Sequence, residues 1–562
     1  VHSYSLLFLV LLTVFSLAIK LYDPLRSPVL AALDPWGWTI LAREFSATHK
    51  LPTFFTQTGY PPTFMYLIVS LATLLHSDQY DIVRYIPIIS ALNVIAIYMF
   101  TFEIFKDIRI SVLASLLTIT TRFYFMRTSI GVPEGLAHFF VVFVLLFTLR
   151  ALTKHNWSSR ILAAISVAAC FAYYHFTLLV LVPFLLASPA AGKSWDNASA
   201  AAREIVIIGI PGLVLAGVVW FFQVLPNMIH YYLGENVRTY STPIFAHSLI
   251  GLLRVLAYST AKSGAVALGE LGYAVTFLSI AGVVFLLLHR RRNGNGMGLD
   301  FLMAYLFVLI ILVLVSRIAY NLGLASAGDS SVYFFSWLAL PASIFAAYAA
   351  LTGISYFEKI LHGRLRMKEY MRAIKLITIF AIVFLSLVNL SSVDYYKAPA
   401  GGGLIPNSHY YYRAMTDQEY YALEYVRGHT TADALILVVG VAPLILTYQA
   451  IVAERTMVSI SNVTLSGQTI QISGLTMLPD LHSANLTLAR LQQAPGSTQQ
   501  IFVVVGIKDV NLEVARTNGL PPPSTTEMER FFIDQMQRSY QFNEQYHNDQ
   551  ITVLQVLSTQ LQ

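Results

Sequence analysis

Charged side chains at the ends of apolar segments are the residues of this sequence best suited to chemistry. Asp34 follows the first apolar segment, in "LDPWGWTILAREF", and Glu134 follows Arg127 in "RFYFMRTSIGVPEGLAHFF" (122–140). Arg317 ends a later apolar segment. Carboxylates act as bases or hold hard divalent cations, and arginine binds phosphate through paired hydrogen bonds. These residue types together suit the transfer of a group from a phosphate-linked lipid donor.

Each of these residues also has an ordinary structural explanation. Asp34 stands directly before a proline, which is the pattern of a helix cap followed by proline in the first turn. Glu134 begins a helical segment, where a carboxylate interacts favourably with the helix dipole. Arg317 could extend its charged group to the membrane surface. Trp36 and Trp38 are typical of the aromatic belt at that surface. The histidines are scattered and do not indicate a metal-binding set.

The composition places these residues in a membrane protein. Of 562 residues, 56% are hydrophobic and 12% are charged, and the mean hydropathy is +0.62. A soluble protein of this length is far less apolar. The single cysteine, Cys170, excludes an intrachain disulfide. The net charge of +6 comes from basic residues in short loops between apolar segments, which indicates cytoplasmic loops and not a nucleic-acid partner.

Apolar segments of roughly 20 residues predict the membrane spans. Residues 6–19 lack a basic n-region and a small-x-small cleavage site, so we expect a retained first helix. The basic stretches 288–298 and 358–375 are expected to be cytoplasmic. The number of spans must place these basic stretches on the cytoplasmic side. Residues 63–75 are therefore interpreted as an interfacial or re-entrant helix, and residues 161–187 as two short helices that break near 173–176. About eleven spans result, with the N-terminus inside and the C-terminus outside. The clear candidates are 5–20, 82–105, 108–126, 135–153, 205–224, 264–288, 300–317, 331–353 and 374–393.

The fold class expected is a polytopic α-helical membrane protein with a C-terminal extracytoplasmic α/β domain. Residues 1–393 are predicted to form the transmembrane domain, with large outer loops at 20–81 and 224–263. Residues 394–562 are predicted to form the outer domain, because strand-like and helix-like patterns alternate there. The expected strands are 434–440, 456–461, 501–506 and 551–556, and the expected helices are 416–426 and 524–540.

The order of these motifs resembles the GT-C superfamily of lipid-phosphate-dependent glycosyltransferases. An acid in a long first outer loop, here Asp34, is followed by "GYPPTFMYL" (59–67) and then by "MRTSIGVPEGL" (126–136). Within the superfamily the chain is most similar to the catalytic subunit of archaeal oligosaccharyltransferase. The resemblance covers about the first 150 residues best and the overall layout throughout.

The resemblance implies a role for each residue of the constellation, and it implies that acids from two outer loops come together. Mn²⁺ or Mg²⁺ is a cofactor that it allows. The implied catalytic residues are Asp34 and Glu134, which are also the metal ligands if a metal is used; the implied donor-phosphate ligands are Arg317 and Arg127, and the implied substrate-loop residues are Trp36 and Tyr60.

The sequence also departs from the oligosaccharyltransferase pattern. Leu136 stands where a second acid is usual, and "YSTPIFAHSL" (240–249) has no glutamate. The Trp-Trp-Asp-Tyr-Gly signature is absent, and "VVGVAPL" occupies its expected place. A simpler GT-C enzyme, which moves a single sugar from a polyprenyl phosphate with one acid as base and no metal, is therefore an equal alternative.

The expected activity is transfer of a sugar or oligosaccharide from a polyprenyl-(di)phosphate-linked donor to a protein or glycan acceptor, outside the plasma membrane. A non-catalytic scaffold or subunit of a membrane complex is the alternative, since the second acid is missing. A transporter is less favoured, because transporters place charges at mid-membrane and most charges here lie at the ends of spans. Few lysines and one cysteine suit a thermophilic archaeon.

Overall fold

The protein is mostly helical, with one β-sheet in its C-terminal part. The description below rests on a computed structural model. It describes residues 2–31, 34–58, 60–174, 199–200, 202–217, 257–261, 263–264, 268–269, 271–289, 296–321, 331–362, 368–391, 415, 417–439, 452–466, 469–477, 483–488, 500–505, 541–547 and 551–557.

The chain divides into two compact units that do not follow the order of the sequence. The first unit comprises Val1–Tyr22, Leu51–Val393 and Gly403–Asn407. The second comprises Asp23–Lys50, Asp394–Gly402 and Ser408–Gln562. The segment that carries Asp34 therefore groups with the C-terminal part of the chain and not with the helices that flank it in sequence.

Helices make up the described part of the first unit, and two helices, α2 and α17, belong to the second. In chain order they are α1 (His2–Arg26, whose last turn enters the second unit), α2 (Asp34–Thr48), α3 (Thr53–Thr58), α4 (Thr63–Leu75), α5 (Gln79–Tyr85), α6 (Pro87–Ser90), α7 (Asn93–Phe105), α8 (Ile108–Thr120), α9 (Arg122–Ser129), α10 (Pro133–Lys154), α11 (Trp157–Tyr173), α12 (202–217), α13 (Tyr273–His289), α14 (Gly296–Asn321), α15 (Ser331–His362), α16 (Lys368–Ser391) and α17 (Asp417–His429).

Several of these helices are long and apolar enough to cross a membrane, which confirms a multi-pass protein. Within the described residues there are five such segments, or six if the bent pair α8–α9 is one span. The total of about eleven stays a prediction, because parts of the predicted spans 161–187 and 205–224 lie outside the described residues. The five segments are Leu6–Arg26, Gln79–Phe105, Pro133–Lys154, Gly298–Ile318 and Ser336–Tyr356, and shorter apolar helices are Thr63–Leu75, Trp157–Tyr173, Tyr273–Leu288 and Lys375–Val388.

The predicted span 108–126 consists of two helices with a bend between them. Helix α8 ends at Thr120, and α9 leaves it at an angle of 69°. Thr121 between them has extended backbone angles, and its hydroxyl donates to the carbonyl of Thr118 at 2.7 Å. Threonine hydroxyls that bond back to the helix in this way bend it. Residues 122–129 therefore form a separate helix, which carries Arg127.

Two ambiguous segments are helical in the described residues; the first has the predicted limits, whereas the second begins at Trp157, before the predicted start at 161. Helix α4 covers residues 63–75, and its depth in a membrane stays a prediction. Helix α11 ends at Tyr173, where the break in 161–187 was expected, and Tyr174 is extended. The second half of that hairpin lies outside the described residues.

A seven-stranded mixed sheet forms the centre of the second unit, which confirms an α/β region. Strand β1 pairs in parallel with β2 and β5, and the outer pairs are antiparallel, in the order β4-β3-β2-β1-β5-β7-β6. The buried run of β1 explains why it was found from the sequence, since central parallel strands read as continuous apolar stretches. Strands β3, β4 and β6 were missed, and the predicted helix 524–540 lies outside the described residues. The strands are β1 (Leu435–Val439), β2 (Thr456–Ser466), β3 (Thr469–Met477), β4 (Ser483–Leu488), β5 (Ile501–Val505), β6 (Gln541–His547) and β7 (Thr552–Leu557).

A glycine allows two helices of the first unit to pack at backbone distance. A Cβ atom on Gly282 of α13 would lie 2.2 Å from the carbonyl oxygen of Phe345 in α15. Gly209 of α12 is also helical, but among the described residues outside its own helical turn a Cβ atom there would have no heavy atom within 4 Å. The two glycines thus differ in packing and not in local conformation.

We expect Gly282→Ala to destabilise the protein by about 1–3 kcal/mol, because the added methyl group has no space. Gly209→Ala is the matched control, and we expect it to be neutral or to stabilise by up to ~1 kcal/mol through better helix propensity. Thermal unfolding of the purified variants in detergent measures both. Equal unfolding temperatures for the two variants would contradict the close packing of α13 on α15.

Candidate functional site

A buried ion pair joins α9 to the start of α10. The guanidinium nitrogen Nη1 of Arg127 lies 3.2 Å from Oε2 of Glu134, and these side chains are 6% and 2% exposed. Ser336 of α15 donates a hydrogen bond of 3.2 Å to the other carboxylate oxygen, Oε1. Pro133 favours a helix start here because its ring fixes a helical backbone angle. The structure therefore brings together two of the predicted site residues and gives the carboxylate a partner on each oxygen.

An aromatic cluster covers the same carboxylate one helical turn further on. The ring of His138 stacks on Trp337 at a centroid distance of 3.7 Å and meets the edge of Tyr124 at 4.8 Å. Its Nε2 atom lies 3.9 Å from Oε1 of Glu134, which is too long for a hydrogen bond. The pair Arg127–Glu134 thus lies in a dry environment, where charge interactions are strong.

Close backbone packing positions the first turn of α10. The side-chain amide of Asn93 donates to the carbonyl of Gly135 at 3.4 Å. A Cβ atom on Gly135 would lie 2.7 Å from the hydroxyl of Ser90, and one on Gly131 would lie 2.3 Å from the carbonyl oxygen of Val83. Small residues in "SIGVPEG" therefore let the loop between α9 and α10 approach α5 and α6.

Lys20 is a site residue that the sequence analysis missed. It lies in α1 with 1% of its surface exposed, and its ammonium group donates to Thr128 Oγ1, to Ser129 Oγ at 3.0 Å and to the Phe125 carbonyl at 3.3 Å. All three acceptors belong to α9. Burying a lysine inside an apolar segment costs free energy, so such a lysine indicates a functional or structural contact. This feature of the sequence could have identified Lys20. Lys20 therefore ties the first span to the helix that carries Arg127.

Two of the predicted site residues, Asp34 and Trp36, lie in the second unit. Asp34 is the first residue of α2 and is half-buried, as a residue at a helix start can be. Trp36 has no exposed surface, so it packs inside the protein and is not a belt aromatic. Because Asp34 and Glu134 belong to different units, their predicted meeting stays a prediction.

Two further predicted residues lie in the first unit. Arg317 is completely buried near the end of α14, so its charged group is not at the surface as a snorkelling arginine would be. Tyr60 is half-buried and contacts two other aromatic rings, those of Phe54 at 6.1 Å and Tyr174 at 6.3 Å. Tyr60 is thus part of an aromatic cluster between α3 and the end of α11.

The surroundings of Glu134 do not fit Mn²⁺ or Mg²⁺. These hard cations bind several oxygen ligands with negative charge. Among the described residues no three His, Cys, Asp or Glu side chains are grouped for a metal. The guanidinium of Arg127 lies 3.2 Å from Oε2 of Glu134 and would compete with a cation for that oxygen.

Comparison with known proteins identifies a related family over part of the chain. Residues 60–222 match the family described as dolichyl-phosphate-mannose-protein mannosyltransferase. This match confirms the assignment to the GT-C superfamily of membrane glycosyltransferases. The closer likeness to archaeal oligosaccharyltransferase stays a prediction. No curated protein matches the chain.

Solved structures of two membrane proteins are similar in outline. ArnT from Cupriavidus metallidurans bound to undecaprenyl phosphate has 11% identity and a TM-score of 0.48, over 97% of this chain and 97% of that chain. The Pmt1-Pmt2 protein O-mannosyltransferase complex of S. cerevisiae, bound to its sugar donor, has 14% identity and a TM-score of 0.32, over 44% of this chain and 37% of that chain. At these values the likenesses carry no conclusion about activity.

We expect Glu134→Gln to destabilise the protein by about 3–5 kcal/mol, because it leaves the buried charge of Arg127 without its partner. The double variant Arg127→Met/Glu134→Gln should recover a large part of this loss, since it buries no charge. Unfolding of the single and double variants in detergent completes the double-mutant cycle.

The matched control is Asp107→Asn, which removes one charge from the exposed pair Asp107–Arg109 and keeps an amide that caps α8. We expect it to cost less than ~1 kcal/mol. The buried pair would lose its proposed importance if Glu134→Gln unfolded at the same temperature as Asp107→Asn.

Proposed function

We propose that this chain transfers a sugar from a polyprenyl-phosphate-linked donor to an acceptor on the outer face of the plasma membrane. The observation that carries the proposal is the match of residues 60–222 to a family named for dolichyl-phosphate-mannose-protein mannosyltransferase. That segment contains Tyr60, Arg127 and Glu134, which are three of the residues that sequence reasoning had selected. The buried pair within it contains an arginine, the residue type suited to bind a phosphate.

A single sugar on a lipid monophosphate is the donor that we favour. The name of the matched family specifies a sugar of this kind, and the signature with which oligosaccharyltransferases hold their acceptor is absent from the sequence. The acceptor is a hydroxyl group of a protein or a glycan. The surroundings of Glu134 favour a reaction without a divalent cation.

In the proposed reaction Asp34 is the general base. It takes the proton from the acceptor hydroxyl while the oxygen attacks the anomeric carbon of the sugar. The bond between the anomeric carbon and the phosphate oxygen breaks, and the lipid phosphate leaves with the negative charge. Arg127 and Arg317 stabilise that charge, since fixed cations act strongly where water is excluded. Glu134 holds Arg127 in place and does not contact the acceptor.

The proposed orientation follows from the basic segments. Residues 288–298 and 358–375 carry most of the clustered arginines and lysines, and such segments stay in the cytoplasm. With the predicted number of spans, the N-terminus is then cytoplasmic and the sheet-containing unit is outside. This side is also the one on which Asp34 would meet the acceptor.

We expect Asp34→Asn to lower the transfer rate at least about 100-fold, which is the usual contribution of a positioned base. Purified protein is incubated with dolichyl- and undecaprenyl-phosphate monosaccharides and with peptide and glycan acceptors, and product is measured by mass spectrometry. Binding of the lipid donor should remain, because the proposed phosphate ligands are unchanged.

Glu44→Gln is the control for this experiment, since it removes an acid from the same helix and is not part of the proposed site. It should keep the wild-type rate. A wild-type rate for Asp34→Asn would reject Asp34 as the base. If the wild-type protein makes no product with any donor, the non-catalytic scaffold becomes the better explanation.

We expect EDTA to leave the transfer rate within about twofold of the untreated enzyme, because the carboxylate of Glu134 is paired with the guanidinium of Arg127. The rate is measured after chelation and again after addition of Mn²⁺ or Mg²⁺. Loss of activity that either metal restores would show that the acids act as ligands.

A further inference from the structure

The helix that carries Asp34 is connected to the C-terminal part of the chain by side-chain contacts. The segment Asp23–Lys50 and the sheet-containing region form one compact unit. The contacts lie on both sides of Asp34 in the sequence, one at Ser27 and one at Arg43. We infer that the C-terminal α/β region is a positioning element for α2, held through Asp417 and Glu454.

The contact at Ser27 is buried and has a defined geometry. The hydroxyl of Ser27 donates to Oδ1 of Asp417 and accepts from the backbone amide of Val29 at 3.1 Å, and Ser27 is 1% exposed. Asp417 is the first residue of α17, where a negative charge is favoured by the helix dipole. A hydrogen bond to a charged and partly buried group is among the stronger ones in proteins. This bond fixes the chain directly before α2.

The contact at Arg43 is weaker by itself but has a rigid acceptor. A guanidinium nitrogen of Arg43 lies 3.8 Å from Oε1 of Glu454, and Nη2 of Arg427 lies 3.2 Å from the same oxygen. These side chains are partly exposed, and isolated pairs of this kind contribute little. These pairs connect α2 to α17, since Glu454 contacts one arginine of each helix.

Arg455 gives that acceptor its fixed position. It is buried, and its guanidinium donates to the carbonyls of Arg427 and Thr430 at 2.7 and 2.6 Å, and to the Thr430 hydroxyl at 2.9 Å. These carbonyls lie at the end of α17, where cationic side chains satisfy the free acceptors. Arg455 therefore fastens the turn that presents Glu454 to the same helix whose first residue holds Ser27.

The catalytic part of this inference rests on the proposed function. The contact between Ser27 and Asp417 can be tested without measuring activity. The chain has one cysteine, Cys170, which is buried. In a Cys170→Ala background, the double variant Ser27→Cys/Asp417→Cys brings two thiols to positions that share a hydrogen bond. A disulfide requires Cα atoms within about 7 Å. A protease site inserted in "AGGG" (400–403) separates the two halves of the chain after oxidation.

We expect the fragments to stay joined on a non-reducing gel and to separate after reduction. The control Ser27→Cys/His429→Cys places the second thiol at the other end of α17, about 18 Å away by helix geometry, and should not cross-link. Fragments that separate without reductant in the Ser27→Cys/Asp417→Cys variant would overturn the inference, because the residues would then not be in contact.

The positioning role is tested by the same variant in the transfer assay. We expect the reduced form to have a kcat about tenfold below the wild type, because a base displaced by a fraction of an ångström loses much of its effect. The oxidised form should recover most of the rate, and the KM for the donor should not change. A disulfide that forms without any difference in kcat between the two forms would overturn the positioning role. If the wild type has no transferase activity while the disulfide forms, the proposed function fails and the docking of α2 stands.

Discussion

A charge among apolar helices requires a partner within the protein, and the arrangement of the first unit depends on this requirement. Arg127 and Glu134 satisfy it for each other, at 3.2 Å and almost without exposed surface. Their contact requires α9 to turn by 69° away from α8, so that Arg127 reaches the first turn of α10. Lys20 then attaches α1 to the same short helix through three acceptors. Two neighbouring helices, α9 and α10, and the distant helix α1 are thus joined by polar contacts where water cannot replace them.

The pairing of Glu134 with Arg127 bears on the missing second acid at position 136. A second carboxylate at the position of Leu136 would add a negative charge close to a pair that is already balanced. Leu136 is buried and apolar instead. The carboxylate of Glu134 receives Arg127 on one oxygen and Ser336 on the other. In the proposed function Asp34 therefore acts on the acceptor, and Glu134 keeps Arg127 in place.

The sequence predicted the membrane class, most helix positions and the central strands, since these depend on local apolar patterns. It selected Arg127 and Glu134 because charges are rare beside apolar segments. The bend at Thr121 was not predictable from hydropathy, because it depends on hydroxyl groups that bond back to the helix. Lys20 was missed because its acceptors lie more than a hundred residues away, at separations of 105 to 109 positions. Strands β3, β4 and β6 have weaker patterns, since antiparallel strands near a sheet edge alternate apolar and polar residues.

The grouping of α2 with the C-terminal region was the least accessible to sequence reasoning. Asp34 and its tryptophans read as a membrane-surface segment, yet Trp36 is fully buried and Ser27 bonds to a residue 390 positions away. A loop between two spans has few means of fixing a side chain by itself, since its ends are restrained and its middle is not. Bonds to a folded α/β region supply that restraint without placing further charges in the membrane. In the proposed function the C-terminal part of the chain therefore has a positioning role for the base through the contacts at Ser27 and Arg43.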